Sequence, residues 1–284
     1  MISRQAWGRA VLDGRPVEAE GLVLAWDDPA AQWGLGVFET LAVRENRARD
    51  VEAHLARLRD AAGRCGVPLP ETGALERAIG EVAAGIHGGY GWAKILVSRS
   101  ARFAVFGNAS DPSAEGAPCA AVILRMRRHR LDPLSGAKTL AYAASILGLE
   151  EARSRGADEG LWLNDRGHVI GACAANVFAV KGRAVTTPMV PDGARPGVTR
   201  ERVIAALRKE GMRITEAHLR VLALRHADEI FLTSSNLGVR AVVRLDGTDV
   251  RRGTPGPVTL RLAETLAADA AAADPVVHND PSRG

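Results

Sequence analysis

Cysteine is scarce in this 284-residue chain, with Cys65, Cys119 and Cys173 the only three. They are far apart, odd in number and never spaced as CxxC, so neither a disulfide framework nor a zinc site is indicated and no metal is expected. Aromatic residues make up 4%. That leaves the core to Ala, Val and Leu, and removes the interleaved basic and aromatic surface on which single-stranded bases stack. No apolar run approaches the roughly 18 residues of a membrane span, and nothing behind Met1-Ile2-Ser3-Arg4-Gln5 reads as a signal region. Glycine fingerprints for a dinucleotide or a Walker loop are missing too. These absences point to a soluble, cytoplasmic protein with neither a nucleic-acid nor a membrane partner.

What is present is ordinary for a globular chain: 46% hydrophobic and 25% charged residues with a net charge of +4. The length suits one large or two compact domains. Strand-like segments come in clusters, which argues for an α+β fold over a doubly wound parallel sheet. Val37–Val43 with a turn at Glu45-Asn46 reads as a hairpin. Val51, Leu55, Leu58, Ala62 and Cys65 recur at helical steps and are stopped by Gly66 and Pro68. Strands are expected at 92–98, 120–126, 160–163, 169–180, 184–187, 230–233 and 239–245. Helices are expected at 139–155, from about 199, and at 258–272, with 107–116 a loop by composition. The basic run Arg125-Met126-Arg127-Arg128-His129-Arg130 reads as a solvated connection. The expected organisation is therefore a small N-terminal α+β domain over 1–126, a linker over 127–136, a larger α+β domain over 137–273 and a loose tail over 274–284.

Three features converge on an anion and an amine. Gly197-Val198-Thr199-Arg200 runs into a helix, with Thr199 as its N-cap, so its free amides suit a phosphate or serve as a plain cap. Thr233-Ser234-Ser235-Asn236 ends a strand in hydroxyls, suited to a phosphate or to an ordinary turn. Lys138 opens a helix, either as a solvated lysine or as a buried amine with the lowered pKa that Schiff-base chemistry needs.

The order and wording of these segments resemble the class IV aminotransferases, pyridoxal-phosphate enzymes of fold type IV. The likeness covers about residues 25–247. It begins with Asp27-Asp28 and Gly34-Leu35-Gly36-Val37-Phe38-Glu39-Thr40, continues with His54-Leu55-Ala56-Arg57-Leu58 and Ala137-Lys138-Thr139-Leu140-Ala141-Tyr142, and passes through Gly156-Ala157-Asp158-Glu159 and Asn176-Val177-Phe178. Thr187-Pro188 and Gly197-Val198-Thr199-Arg200 complete it. The resemblance implies a two-domain α+β protein with pyridoxal 5'-phosphate at the domain interface, working as a homodimer on a small-molecule substrate. It implies Lys138 as the covalent cofactor lysine, and Arg57, the Val198 and Thr199 amides, and Ser234 or Ser235 as the phosphate cup. Tyr142 is placed at the cofactor, with Phe38 and Thr40 on the strand facing it. Thr40 then either contributes a hydroxyl to proton transfer or is inert. Arg102, in Ser98-Arg99-Ser100-Ala101-Arg102, is either a substrate carboxylate clamp or a surface arginine.

One position departs from the family. A glutamate normally precedes the Asn-x-Phe strand and pairs with the pyridine nitrogen, and here that position is Gly171. Without it the ring is a weaker electron sink. Another acid substitutes, the reaction needs less electron withdrawal, or the chemistry is lost. The local words Cys173-Ala174-Ala175-Asn176 and Leu232-Thr233-Ser234-Ser235 are most similar to those of 4-amino-4-deoxychorismate lyases, in which aromatisation of the product supplies driving force. The expected activity is that lyase reaction, giving p-aminobenzoate and pyruvate for folate synthesis. A branched-chain or D-amino-acid aminotransferase is the alternative, and a non-catalytic homologue the second alternative.

Overall fold

The computed structural model describes residues 10–18, 22 and 24–272, so the stretch read as a loose tail lies outside the described residues. Two sheets organise the chain. The first contains β1 (Ala10–Leu12), β2 (Arg15–Val17), β3 (Gly36–Arg44), β4 (Arg47–Ala48), β5 (Gly91–Ser98) and β6 (Phe103–Ala109), ordered β2-β1-β6-β5-β3-β4. All its pairings are antiparallel, the longest joining β3 to β5 from Gly36↔Ser98 to Val43↔Gly91. A short helix, α1 (Pro29–Trp33), precedes β3, and α2 (Val51–Cys65) and α3 (Thr72–Ala84) supply the helical layer. Leu55 and Leu58 of α2 and Leu75, Ile79 and Val82 of α3 pack with Val37, Leu41, Ile95 and Val105 of the sheet. Each such buried side chain contributes about 1.5–3 kcal/mol. Gly66 closes α2 in the left-handed conformation, as expected from the sequence.

The second sheet is built from β7 (Cys119–Arg128), β8 (Glu159–Asn164), β9 (His168–Ala172), β10 (Asn176–Lys181), β11 (Ala184–Pro188), β12 (Arg213–Ala217), β13 (Leu219–Arg220), β14 (Glu229–Ser234), β15 (Gly238–Leu245) and β16 (Thr248–Asp249). Its order is β12-β11-β10-β14-β15-β7-β8-β9-β13, with β16 on β15. Because β9 also lies against β10, and β13 against β11, the sheet curls back on itself. Its helices are α4 (Ala143–Ser154), α5 (Val198–Lys209), α6 (Val221–Arg225) and α7 (Pro257–Ala272). Inside the curl lie Leu161, Val169, Val177, Leu219, Leu232 and Val242. Outside it, Val203, Ile204 and Leu207 of α5 and Val258 and Leu262 of α7 cover the stacked rings of Phe178 and Phe231, 4.7 Å apart. The α+β expectation therefore holds.

Three expectations need correction. The basic run is no linker: Arg125–Arg128 complete β7, which runs parallel to both β15 and β8 and so belongs to the second sheet. The connection between the sheets falls at 110–118, ahead of the boundary drawn at 126. The helix expected from 139 begins at Ala143, because the preceding residues are extended along β3: Phe38 N donates to Lys138 O at 2.9 Å and Leu140 N to Gly36 O at 2.9 Å. Thr199 is not the cap of α5, since Gly197 occupies the N-cap and Val198 the first helical position. α3 and β6 were not anticipated at all, and the last residues of β6 fall in the stretch 107–116 that was read as a loop.

Candidate active site

The extended strip from Ala137 to Leu140 carries Lys138 along the edge of the first sheet and into a cavity walled mainly by the second. Its ammonium nitrogen lies 4.3 Å from the centre of the Phe38 ring, which Lys94 approaches at 4.7 Å. Loss of hydration, and then the Arg195 guanidinium, push the Lys138 amine well below the usual lysine range; Glu39 opposes this, while Arg57 and Lys94 reinforce it. A larger neutral fraction makes the amine a better nucleophile and base near neutral pH.

At one end of the cavity α5 points its N-terminus inward. Its cap has no side-chain partner, so the first amides are available to an anion. Gly197 is required at this cap, because a Cβ there would lie 2.0 Å from Asn176 Oδ1; Asn176 in turn donates to Arg195 O at 2.8 Å. Thr199, Ser234 and Ser235 complete this end of the wall, with Thr199 Oγ1 3.5 Å from Ser235 Oγ.

Arg57 enters the same end already bound. Glu39, fully buried on β3, accepts from its Nε at 2.6 Å and from its Nη2 at 2.7 Å, while Nη1 donates to Pro196 O at 3.1 Å. His54 Nδ1 meets Glu39 Oε2 at 2.8 Å, and its Nε2 meets Ser235 Oγ at 3.2 Å. Burial by itself raises the Glu39 carboxyl, but the bonds from His54 and Arg57, with the charge on Arg57, overcome it and bring the pKa to about 2. One carboxylate thus aligns an arginine and a histidine, and through the histidine a serine.

The opposite wall holds Trp162, Ile170, Gly171, Ala172, Ala174 and Ala175, with Arg128 and Arg195 alongside. Gly171 has φ +145°, a conformation that L side chains rarely adopt, and a Cβ there would stand 3.3 Å from Ala175 O. No Asp or Glu is among the lining residues. Arg128 lies 4.5 Å over the Trp162 ring and donates to Ser145 Oγ at 2.7 Å. Arg195 Nε is buried without a hydrogen-bond partner, as are Thr233 Oγ1 and Asn236 Oδ1 on the same wall. Arg128 and Arg195 make no ion pair among the described residues. A basic, hydroxyl-lined cavity with orphaned polar atoms and a depressed lysine suits an anionic carbonyl compound with a phosphate group.

The model of the amino-transferase class IV family matches residues 36–245. The chain belongs to that family. A protein of Methanocaldococcus jannaschii provisionally assigned as a branched-chain-amino-acid aminotransferase is 27% identical over 89% of this chain and 93% of its own length. The Escherichia coli branched-chain-amino-acid aminotransferase is 33% identical, but over only 44% of this chain and 40% of its own. Among solved structures, a hypothetical aminotransferase of Mycobacterium tuberculosis in its PLP-bound form superposes with a TM-score of 0.83 at 27% identity, covering 92% of this chain and 98% of that one. A Legionella pneumophila structure provisionally assigned as a 4-amino-4-deoxychorismate lyase gives 0.78 at 26% identity, covering 87% and 95%.

In this class IV chain the cavity collects Lys138, Thr40, Arg57, Val198, Thr199, Ser234 and Ser235 from the residues singled out in the sequence. Three others lie elsewhere. Phe38 sits beneath Lys138 and meets the Tyr142 ring edge to face at 5.2 Å. The Tyr142 hydroxyl is committed to Cys173 O at 2.7 Å. Arg102 is bound to Asp13 at 2.5 Å on a half-exposed surface and is absent from the wall, so it clamps nothing in the cavity of its own chain. The guanidiniums that do reach the wall, Arg128 and Arg195, were missed. Arg128 was hidden in a run that reads as solvated, and Arg195 sits in a turn with no motif of its own.

Behind the Gly171 wall lies a buried acid. Glu159 Oε1 accepts from Gly160 N and Cys173 N, both at 3.1 Å. Burial raises its pKa to about 7, against backbone donors and Arg240, which lower it. The folded protein therefore holds this proton between pH 4.5 and about 7 while the unfolded chain releases it, so stability falls as pH rises through that window. Such a shift corresponds to about 3 kcal/mol. Glu159→Gln keeps the acceptor and removes the charge. Its melting temperature should exceed that of the wild type by several degrees at pH 8 and match it near pH 4.5, as read by calorimetry across pH.

Proposed function

We propose that this protein is a pyridoxal-phosphate enzyme acting as a 4-amino-4-deoxychorismate lyase, with the cofactor between its two sheets, which we take as two domains. The observation that carries the lyase reading is the wall around Gly171: it offers no carboxylate, and its guanidiniums, Arg128 and Arg195, have no acidic partner. A substrate with two carboxylates suits that wall, and a reaction driven by aromatisation suits a weak electron sink.

Lys138, Arg57, the amides of Val198 and Thr199, and Ser234 and Ser235 would hold the cofactor. When bound, it supplies a carbonyl for the substrate amine and an acceptor for the electrons released on deprotonation. Lys138 Nζ takes the proton from the ring carbon bearing the amine. The ring electrons shift to break the ether C–O bond, and the enolpyruvyl group leaves with a proton as pyruvate. Arg128 and Arg195 would orient the two carboxylates, and Thr40, which lines the cavity, would hand a proton on.

The same reading includes a homodimer, for which the exposed Trp26 and Trp33, 85% and 65% accessible, offer apolar surface. It also includes a cytoplasmic location. The three cysteines are free, as a reducing compartment requires, and among the described residues no helix is long and apolar enough to cross a membrane.

Incubation with 4-amino-4-deoxychorismate should release p-aminobenzoate and pyruvate in equal amounts. The second reading, an aminotransferase, is favoured by the M. jannaschii and M. tuberculosis relatives. It predicts glutamate formation from 2-oxoglutarate and a branched-chain or D-amino acid. Glutamate without p-aminobenzoate would exclude the lyase.

A further inference from the structure

Outside the cavity, two imidazoles and one carboxylate converge from three separate segments. His168 opens β9, Asp192 ends a tight turn after β11, and His218 lies between β12 and β13. Pairing of β9 with β13, at Val169↔Leu219 and His168↔Arg220, brings the histidines side by side, and their rings lie 4.5 Å apart at 30°. Asp192, only 3% exposed, is set by its own backbone: Asn164 Nδ2 donates to its carbonyl at 3.1 Å, and its N–H to Met189 O at 3.1 Å. Its Oδ2 lies 2.6 Å from His218 Nδ1 and 3.3 Å from His168 Nδ1. The second contact is not a hydrogen bond, so His168 Nδ1 is buried without a partner.

We propose that His168, Asp192 and His218 form a binding site for a divalent transition-metal ion of the zinc class. Two imidazoles and a carboxylate, with remaining positions open to water, are a donor set such ions favour over calcium or magnesium. One donor atom from each residue lies within 4.8 Å of the other two. Ions of this class bind at about 2.0–2.2 Å, so closing the site asks mainly for a movement of the His218 ring, whose side chain is 54% exposed. No cysteine takes part, and the ligands share no fixed spacing, which is why the sequence suggested no metal.

The site is also joined to the cavity wall. Ile170 and Gly171 follow His168 on β9, and Gly193 and Arg195 follow Asp192. An ion here would tie β9 to the turn that delivers Arg195.

The test uses untagged, EDTA-treated, cofactor-loaded protein titrated with Co2+ and with Zn2+. The expected result is one ion per chain, with the visible absorption of a low-symmetry Co2+ site that Zn2+ abolishes. His218→Ala, at an exposed position, should weaken binding by at least about tenfold, and Asp192→Asn likewise. His226→Ala, an exposed histidine elsewhere, should leave it unchanged. Equal affinity in the wild type and His218→Ala, or no saturable binding, would overturn the proposal. Calorimetric melting of each variant separates loss of ligands from loss of fold.

Discussion

Lys138→Ala is expected to remove turnover by more than about 10³-fold while the protein melts no lower than the wild type. The first half follows from the role proposed for the amine as covalent partner and proton carrier, for which alanine has no substitute. The second half follows from the depressed pKa. The folded chain holds this proton less tightly than the unfolded chain, so below the ordinary lysine pKa the residue costs stability, and its removal does not lower the melting temperature. A merely structural lysine would show the opposite pair of results. Borohydride reduction of the cofactor-loaded wild type should fix the label on the peptide carrying Lys138, and Lys138→Ala should carry none. Lys138→Arg should be as inactive as alanine, because a guanidinium stays charged. Arg195→Gln removes the leading charge that holds the amine down. The acid limb of its activity profile should therefore move to higher pH while its maximum rate changes less.

The second large effect belongs to Glu39. Glu39→Gln leaves Arg57 and His54 facing a neutral amide in a fully buried place, and breaking a buried pair from one side costs about 3–5 kcal/mol. Calorimetry near pH 7 should show a melting temperature lower by roughly 10 °C. The pH dependence has a fixed sign. The carboxylate titrates at about 2 in the folded chain against 4.5 unfolded, so its contribution is present above 4.5 and declines as pH falls toward 2. The gap between wild type and variant should therefore narrow in acid. A double-mutant cycle with Arg57→Gln should return a coupling energy of a few kcal/mol, since the charge left stranded in either single variant is gone in the double. Equal melting of Glu39→Gln and wild type across pH would remove Glu39 as the organiser of this end of the cavity.

Local pattern carried the reading of α2, β3 and β14, where hydrophobic period and terminating residues agree with the tertiary structure, while the single strand expected over 169–180 divides into β9 and β10. It failed where partners are distant. α3 buries Leu75, Ile79 and Val82 at helical steps, yet Gly73 and Gly80 weaken its intrinsic preference and mask it. The charged end of β7 reads as solvated because Arg125, Met126 and Arg127 are exposed, while Arg128 alone turns toward Trp162. Lys138 looks like a helix opener until β3 is beside it to hold the chain extended. Val198, Thr199, Ser234 and Ser235 were legible because a helix start and a strand-ending turn have local geometry, whereas Lys138, Arg57 and Thr40 were picked out by the family resemblance and owe their place in the cavity to tertiary packing. Arg128, Arg195 and Glu159 acquire their significance only from what folds against them, and of the two readings of Arg102 its position on the surface against Asp13 matches the surface arginine.

The two hydrogen bonds that join Lys138 O and Leu140 N to β3 bear on how the molecule can move. They stitch the strip that carries Lys138 into the cavity to the backbone of the first sheet. A hinge that parted the two sheets at this seam would tear the lysine from its bearing and displace the Phe38 ring beneath it. Parting the chain from β3 at this seam therefore costs these two hydrogen bonds, about 0.5–1.5 kcal/mol each, together with the packing of Lys138 on Phe38.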